Sequence, residues 1–393
     1  MPVGHDQHQL PHHQSYIDGL RGIAILMVLV NHVFYEGIGV LNHAHESLHW
    51  FYDFILAGNR GVSLFFIVSA FTLYTSSSLR FGRERAPVRN FYIRRIARIL
   101  PLWWIVVVAY LFVFHRSFSR SLPNLGMYFG FLKYERPKEY LLGEWSIFVE
   151  ESFYLVFPLL FTRLGSIIRV VWLLLATLAI RSLWTGYAHA VGIPKDYQFI
   201  EFFPLAKWYC FAIGIVMARC LPLPGVQACL QKKEVLRVLN WSAFFALYAF
   251  VRDREPYCIV ALVLVFLASV SEKGIWGKIA RNSFLRMLGV RCYSIYLIHG
   301  AVLLITSEMR DAFFVSLGLV DSSPEMRFAI WLPIQISINL AIASFTFPFL
   351  EQTFIRLGKK WIEHLETRPS KWREASSEAG ETSSSFLVRQ PSS

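Results

Sequence analysis

Long apolar runs, most of them near the roughly 20 residues that a helix needs to cross a bilayer, alternate along this chain with short polar and basic clusters. Ten such runs stand at roughly 17–40, 60–79, 97–115, 144–163, 167–186, 200–219, 237–251, 256–271, 287–308 and 328–354. The pattern predicts an all-α, polytopic integral membrane bundle of about ten transmembrane helices. Residues 1–16 are polar, carry His5, His8, His12 and His13, and read as a flexible tail rather than a metal site. Residues 361–393, with "KWREASSEAGETSSS", read as a disordered cytoplasmic tail. One membrane domain over 17–360 remains between them, without an evident inverted repeat.

Composition agrees with this pattern. The 393 residues are 55% hydrophobic and only 17% charged, against about 25% charged in ordinary soluble domains. The net charge of +12 does not imply nucleic acid, because the arginines collect between apolar segments and form no recognised nucleic-acid module. "RFGRERAPVRNFYIRRIAR" holds seven arginines, Arg80, Arg83, Arg85, Arg89, Arg94, Arg95 and Arg98, against Glu84 alone. On the positive-inside rule this loop and both termini are cytoplasmic. The loop 116–140 is a basic exception on the other side, and "RDRE" at 252–255 balances its own charge. The five cysteines, Cys210, Cys220, Cys229, Cys258 and Cys292, contain no CxxC pair, so neither a disulfide framework nor a zinc site is expected. The first apolar run lacks a small-x-small cleavage site and reads as a retained span.

Several of these runs carry residues that are costly in hydrocarbon. In "GLRGIAILMVLVNHVF", Arg21 and His32 are eleven residues apart. At 100° per residue they lie about 20° from registration, hence on one helix face, roughly 16 Å apart along the axis. With the N-terminus inside, Arg21 sits at the cytoplasmic edge and His32 near the midplane. A snorkelling arginine with a hydrogen-bonded histidine explains that pair as well as a reaction centre does. Arg95 and Arg98 in "FYIRRIARILPLWW" share a face one turn apart. They suit either a topology signal with lipid-phosphate contacts or a socket for phosphates of a cytosolic ligand. In "EWSIFVEESFYLVFPLLF", Glu150 can pair with an arginine or fix the tautomer of a histidine, and Trp145 and Tyr154 can anchor at the interface. "LGVRCYSIYLIHG" places Ser294 and His299 in an apolar helix, where a satisfied core histidine is the plain alternative.

Taken in order, "YIDGLRGIAILMVLVNH", "RGVSLFFIVSAFTLY", "FYIRRIARILPLWW", "EWSIFVEESFYLVFPLL", "LGVRCYSIYLIHG" and "FPFLEQTFIRLGKK" resemble the acyltransferase 3 family of integral membrane acyltransferases over about residues 16 to 360. Ala70 stands where glycine is common, and Gln352 and Thr353 follow Glu351 where arginine and proline are common. The resemblance implies ten spans and O-acylation, with acetyl-CoA or another acyl-CoA as donor and a hydroxyl of a carbohydrate or lipid-linked glycan as acceptor. It implies a bacterial inner-membrane location, no permanently bound cofactor, no metal and no nucleic-acid partner, with membrane lipids as surroundings. By the same resemblance His32 is the essential histidine and Arg21 its partner, the family's arginine pair falls on Arg95 and Arg98, and its glutamate falls on Glu150. The mechanism expected from this has His32 as general base, Glu150 as a second catalytic residue, and Arg21, Arg95 and Arg98 on the acyl-CoA phosphates. Trp145, Ser146, Tyr154, Ser294 and His299 form a possible secondary set. Direct transfer is expected over a covalent intermediate, and the stand-alone form over one fused to an extracytoplasmic hydrolase-like domain. The competing reading is a multi-pass transporter or lipid-linked sugar carrier with His32 as proton relay.

Overall fold

The computed structural model describes residues 15–37, 49–114, 144–192, 198–248 and 255–367. Among them the secondary structure is helical throughout, without strands, and each of the ten apolar runs contains a helix. Six helical stretches are long and apolar enough to cross a membrane: Ser15–Tyr35, Phe51–Arg80, Pro87–Val113, Ile167–Ala190, Ile200–Cys220 and Pro324–Thr367. The pair Ser283–Val290 and Cys292–Ile305, bent by 79°, makes a seventh if it is one span.

The remaining predicted spans fall short for identifiable reasons. Glu144–Phe161 carries three carboxylates, Glu144, Glu150 and Glu151. Glu255–Val270 is apolar but has 16 residues. Lys233–Ala246 has 14 and opens on Lys233, Glu234 and Arg237. The polar tail expected from 361 starts as helix, because Gln352–Thr367 runs on past Trp361 with a strongly one-sided apolar face. Residues 368–393, the histidine-rich 1–14, the 116–140 loop and 252–254 lie outside the described residues.

Ser15–His32 is the hub of the bundle. Leu20, Ala24, Ile25, Val28 and Leu29 on it are fully enclosed, and it packs on Ser283–Val290, Gly61–Arg80 and Ile275–Ala280. Gly61–Arg80 in turn packs on Pro204–Cys220, and Pro204–Cys220 on Ile167–Ala190. The last of these exposes Trp172, Leu183 and Tyr187, as a helix facing lipid does. Without a hydrophobic driving force between helices in lipid, small residues that let backbones touch supply the packing. Gly22 lies against the Leu285 backbone and Gly289 against the Asp18 backbone, leaving no room for a β-carbon at either site. Gly22→Leu is therefore expected to cost about 1–3 kcal/mol or more by overpacking. A lowered unfolding midpoint in detergent checks this; an unchanged midpoint would show that the two helices can separate without cost.

Away from the arginine-rich end, a buried ion network ties helix ends together. Glu255, 7% exposed, accepts from Lys207 Nζ at 2.6 Å and Tyr209 OH at 2.8 Å, and pairs with Arg181. Glu255, the last residue of the "RDRE" segment, is thus balanced from other helices by Lys207 and Arg181.

Candidate active site

Arg21, near the start of the first helix, Arg80, at the end of Gly61–Arg80, and Arg94, Arg95 and Arg98, early in Pro87–Val113, converge on one cavity of about 550 Å³. That size lies within the ordinary range for a small-molecule or cofactor site. Lys359 joins them from Gln352–Thr367, while Glu84, Glu150 and Glu363 are the carboxylates on the wall. Both described ends of the chain, near Arg21 and Lys359, therefore lie at one end of the bundle.

The arginines are held in different ways. Arg21 Nη2 donates to Thr72 Oγ1 at 3.0 Å and Nη1 lies 3.6 Å from Asp18. Arg94 is bound bidentately by Glu84 at 2.6 and 3.1 Å. Arg95 lies over the rings of Tyr154 and Phe91, 5.1 and 5.8 Å from their centroids, a contact that fixes a guanidinium without neutralising it. Glu150 accepts a short hydrogen bond from Tyr154 OH. The carboxylate thereby faces Arg95 across a shared tyrosine.

Beyond the arginines the cavity is lined by Ser146 and Tyr296, with Cys292 one turn before Tyr296 and beside Arg21 and Arg98. Ser146 Oγ and Tyr296 OH are 2.6 Å apart. One turn beyond Tyr296, His299 is fully buried; its Nδ1 lies 2.5 Å from the Tyr296 carbonyl, and its Nε2 lies 2.9 Å from His32 Nδ1. The two imidazoles stack with centroids 5.0 Å apart. A carbonyl only accepts, so His299 Nδ1 must carry a proton and its neutral ring presents a lone pair at Nε2. His32 Nδ1–H then donates to that nitrogen, which leaves the lone pair of His32 on Nε2.

The structure brings together Arg21, Arg95, Arg98, Glu150, Tyr154 and Ser146 around one cavity, and pairs His32 with His299 just beyond it. It redistributes several expected contacts. The ring nitrogen of His32 meets His299, in the place where Glu150 was expected, because Glu150 is engaged by Tyr154 on the arginine side. Trp145 stacks on Phe202 with centroids 4.1 Å apart. Ser294 donates to the buried Glu351 at 2.8 Å, a structural tie off the cavity wall. Cys292 belongs to the "LGVRCYSIYLIHG" motif and lines the cavity. The sequence reading missed Tyr296, although its i, i+3 spacing to His299 was visible. It also passed over Thr72, Arg80, Arg94 and Lys359 as site residues.

A helical membrane bundle with a cation-lined cavity leading to a paired histidine defines a multi-pass membrane protein. Residues 14–350 match the profile of the acyltransferase-domain family, and the chain belongs to that family. The chain is 22% identical over 380 residues to "Peptidoglycan O-acetyltransferase OatA" of Listeria monocytogenes, covering 87% of this chain and 56% of that protein. It is 24% identical over 395 residues to a Staphylococcus aureus (strain COL) protein named "Putative O-acetyltransferase", covering 90% and 59%. A Bacillus subtilis relative, "Putative peptidoglycan O-acetyltransferase YrhL", is 22% identical over 341 residues, covering 77% and 51%. The chain thus spans little more than half the length of these relatives. No solved structure matches it significantly.

Proposed function

We propose that the chain is a membrane O-acetyltransferase that moves an acetyl group from acetyl-CoA to a hydroxyl of a glycan, with peptidoglycan-type sugars as the first acceptors to test. The observation that carries this reading is the continuity from the cationic cavity, through Ser146 and Tyr296, to the His299–His32 pair. On the positive-inside rule the arginine-rich end faces the cytosol, where acyl-CoA is found. A bacterial inner membrane is the setting that the named relatives suggest.

In this mechanism Arg21, Arg95 and Arg98 hold the donor phosphates through charge-assisted hydrogen bonds. The pantetheine arm runs inward and brings the thioester towards Tyr296. The acceptor hydroxyl approaches His32 Nε2, which takes its proton as the oxygen attacks the thioester carbonyl carbon. The tetrahedral intermediate collapses, the C–S bond breaks, and the proton held on His32 Nε2 passes to the CoA thiolate, which leaves as the thiol and restores neutral His32. His299 holds His32 with Nδ1 protonated, so that Nε2 is the basic nitrogen. Tyr296 OH and Ser146 Oγ share one hydrogen bond, which leaves one O–H of the pair to polarise the carbonyl oxygen. Direct transfer needs no covalent enzyme intermediate; Cys292 is the cavity-lining nucleophile that an alternative two-step route would use.

Purified full-length protein incubated with radiolabelled acetyl-CoA and peptidoglycan fragments, or other glycans, tests the reading. Acceptor-dependent release of CoA with label on the sugar is expected. Movement of a glycan or lipid-linked sugar across proteoliposomes without CoA release would establish the carrier reading in its place.

A further inference from the structure

The donor cavity has an outer rim of positive charge, built partly by the last described helix, which runs on past the end of the profile match. Gln352–Thr367 follows residue 350, where the match ends. It lies antiparallel along the start of Pro87–Val113. Gly358 sits against Ala97 so closely that a β-carbon would meet the alanine methyl at 2.6 Å. Two turns on, Glu366 accepts from the Arg85 and Ala86 backbone N–H groups at 2.9 and 3.3 Å, from Asn90 Nδ2 at 2.8 Å and from Arg89 at 3.2 Å. A carboxylate at the N-terminus of a helix is well placed both for the unpaired N–H groups and for the macrodipole. This latch aligns Lys359 with the Ile93–Arg94 level, about one turn, or roughly 6 Å, outside Arg98.

At that outer level, two cations are left with little local neutralisation. Arg94 is consumed by Glu84, with two short hydrogen bonds. Lys359 has only Glu363 at 3.9 Å, with both side chains largely exposed, and such a pair is weak. Arg80 has no ion pair within 4 Å among the described residues; its neighbouring carboxylate, Glu84, is engaged by Arg94. Both line the cavity, as do Ile355 and Ile362 from the same helix as Lys359.

We propose that Arg80 and Lys359 form a subsite for the ribose 3′-phosphate of a CoA-type donor, so that the 352–367 helix completes the donor site. The assignment rests on the acyl-CoA reading above. It follows from the order of groups along the donor. The thioester end must reach the Tyr296 end, the pyrophosphate then meets the inner tier of Arg21, Arg95 and Arg98, and the adenosine end comes last. The 3′-phosphate is a monoester dianion one ribose ring from the pyrophosphate, and Lys359 stands about one helical turn outside Arg98 along the axis, with Arg80 beside Arg94.

Equilibrium binding of CoA and of 3′-dephospho-CoA to the full chain in detergent or nanodiscs tests this. The unmodified protein should bind CoA roughly tenfold or more tightly than 3′-dephospho-CoA. Lys359→Gln and Arg80→Gln should each narrow that ratio by about three- to tenfold, and the double substitution should bring it near one. Binding of 3′-dephospho-CoA should hold in every variant, which also shows that the variants are folded, and Lys359→Arg should keep the preference. A ratio unmoved by the substitutions, or an equal loss for both ligands, overturns the subsite while leaving the donor reading intact. If the unmodified protein binds neither nucleotide, the donor reading itself fails and the subsite with it.

Discussion

His32→Ala is expected to lower acetyl transfer by about 10²–10⁴-fold, the usual worth of well-placed general-base assistance, with the protein still accumulating in the membrane. Insertion should survive because the substitution removes a polar group from a helix whose packing depends on Leu20, Ala24, Ile25, Val28 and Leu29. Donor binding should also survive, because His32 is not among the cavity-lining residues. The loss should therefore appear in kcat with the acetyl-CoA KM little changed, as for an interaction made in the transition state. His299 supplies the control. His299→Ala removes the acceptor for His32 Nδ1–H, so it should lower kcat without weakening donor binding. His299→Gln should restore part of the rate, because an amide oxygen can accept the same proton. Near-normal turnover in His32→Ala would remove this residue from the chemistry. Equal damage from His299→Gln and His299→Ala would make His299 a packing residue only.

Arg95→Ala combined with Arg98→Ala is expected to weaken acetyl-CoA binding by about 10²–10⁴-fold. Hydrogen bonds to charged groups are worth roughly 1.5–3 kcal/mol each, and two such losses convert to that range. The rate at saturating donor should change far less. Arg95 also lies over Tyr154 and Phe91, so Arg95→Lys separates charge from shape: lysine keeps the charge but loses the planar fork. The lysine variant should fall between the natural protein and alanine. Direct measurement of donor affinity in detergent decides the matter, with thermal unfolding as the check on folding. Unchanged affinity in the double variant would sink the phosphate role and leave the pair as a topology signal.

The parts of the fold that were legible in the sequence are those set by local periodicity and charge. Each apolar run did form a helix, and the arginines of 80–98 do gather at one end of the bundle with Arg21. The span count was less legible, because helix length alone does not say whether a stretch such as Glu144–Phe161, with three carboxylates, faces lipid or protein. The candidate cavity was partly legible: Arg21, Arg95, Arg98 and Glu150 all line it. Lys359 was not, because nothing in a polar, amphipathic C-terminal segment says what it will lie against. Glu255 was misread for the same reason, as its partners Lys207, Tyr209 and Arg181 come from other helices.

Sequence by itself determined that this is a helical membrane protein of the acyltransferase family and that Arg21 and His32 share a face, since these follow from hydropathy, motif order and the 3.6-residue turn. Tertiary structure alone decided which group holds His32, for His299 lies 267 residues away along the chain. It alone placed Lys359 and Ile362 of Gln352–Thr367 on the cavity wall. The physical reason is the same in both cases. Helical geometry is dictated by neighbours within one or two turns, whereas the partner of a buried polar atom is chosen by how distant helices pack, and a single close contact such as Gly22 on Leu285 sets that choice.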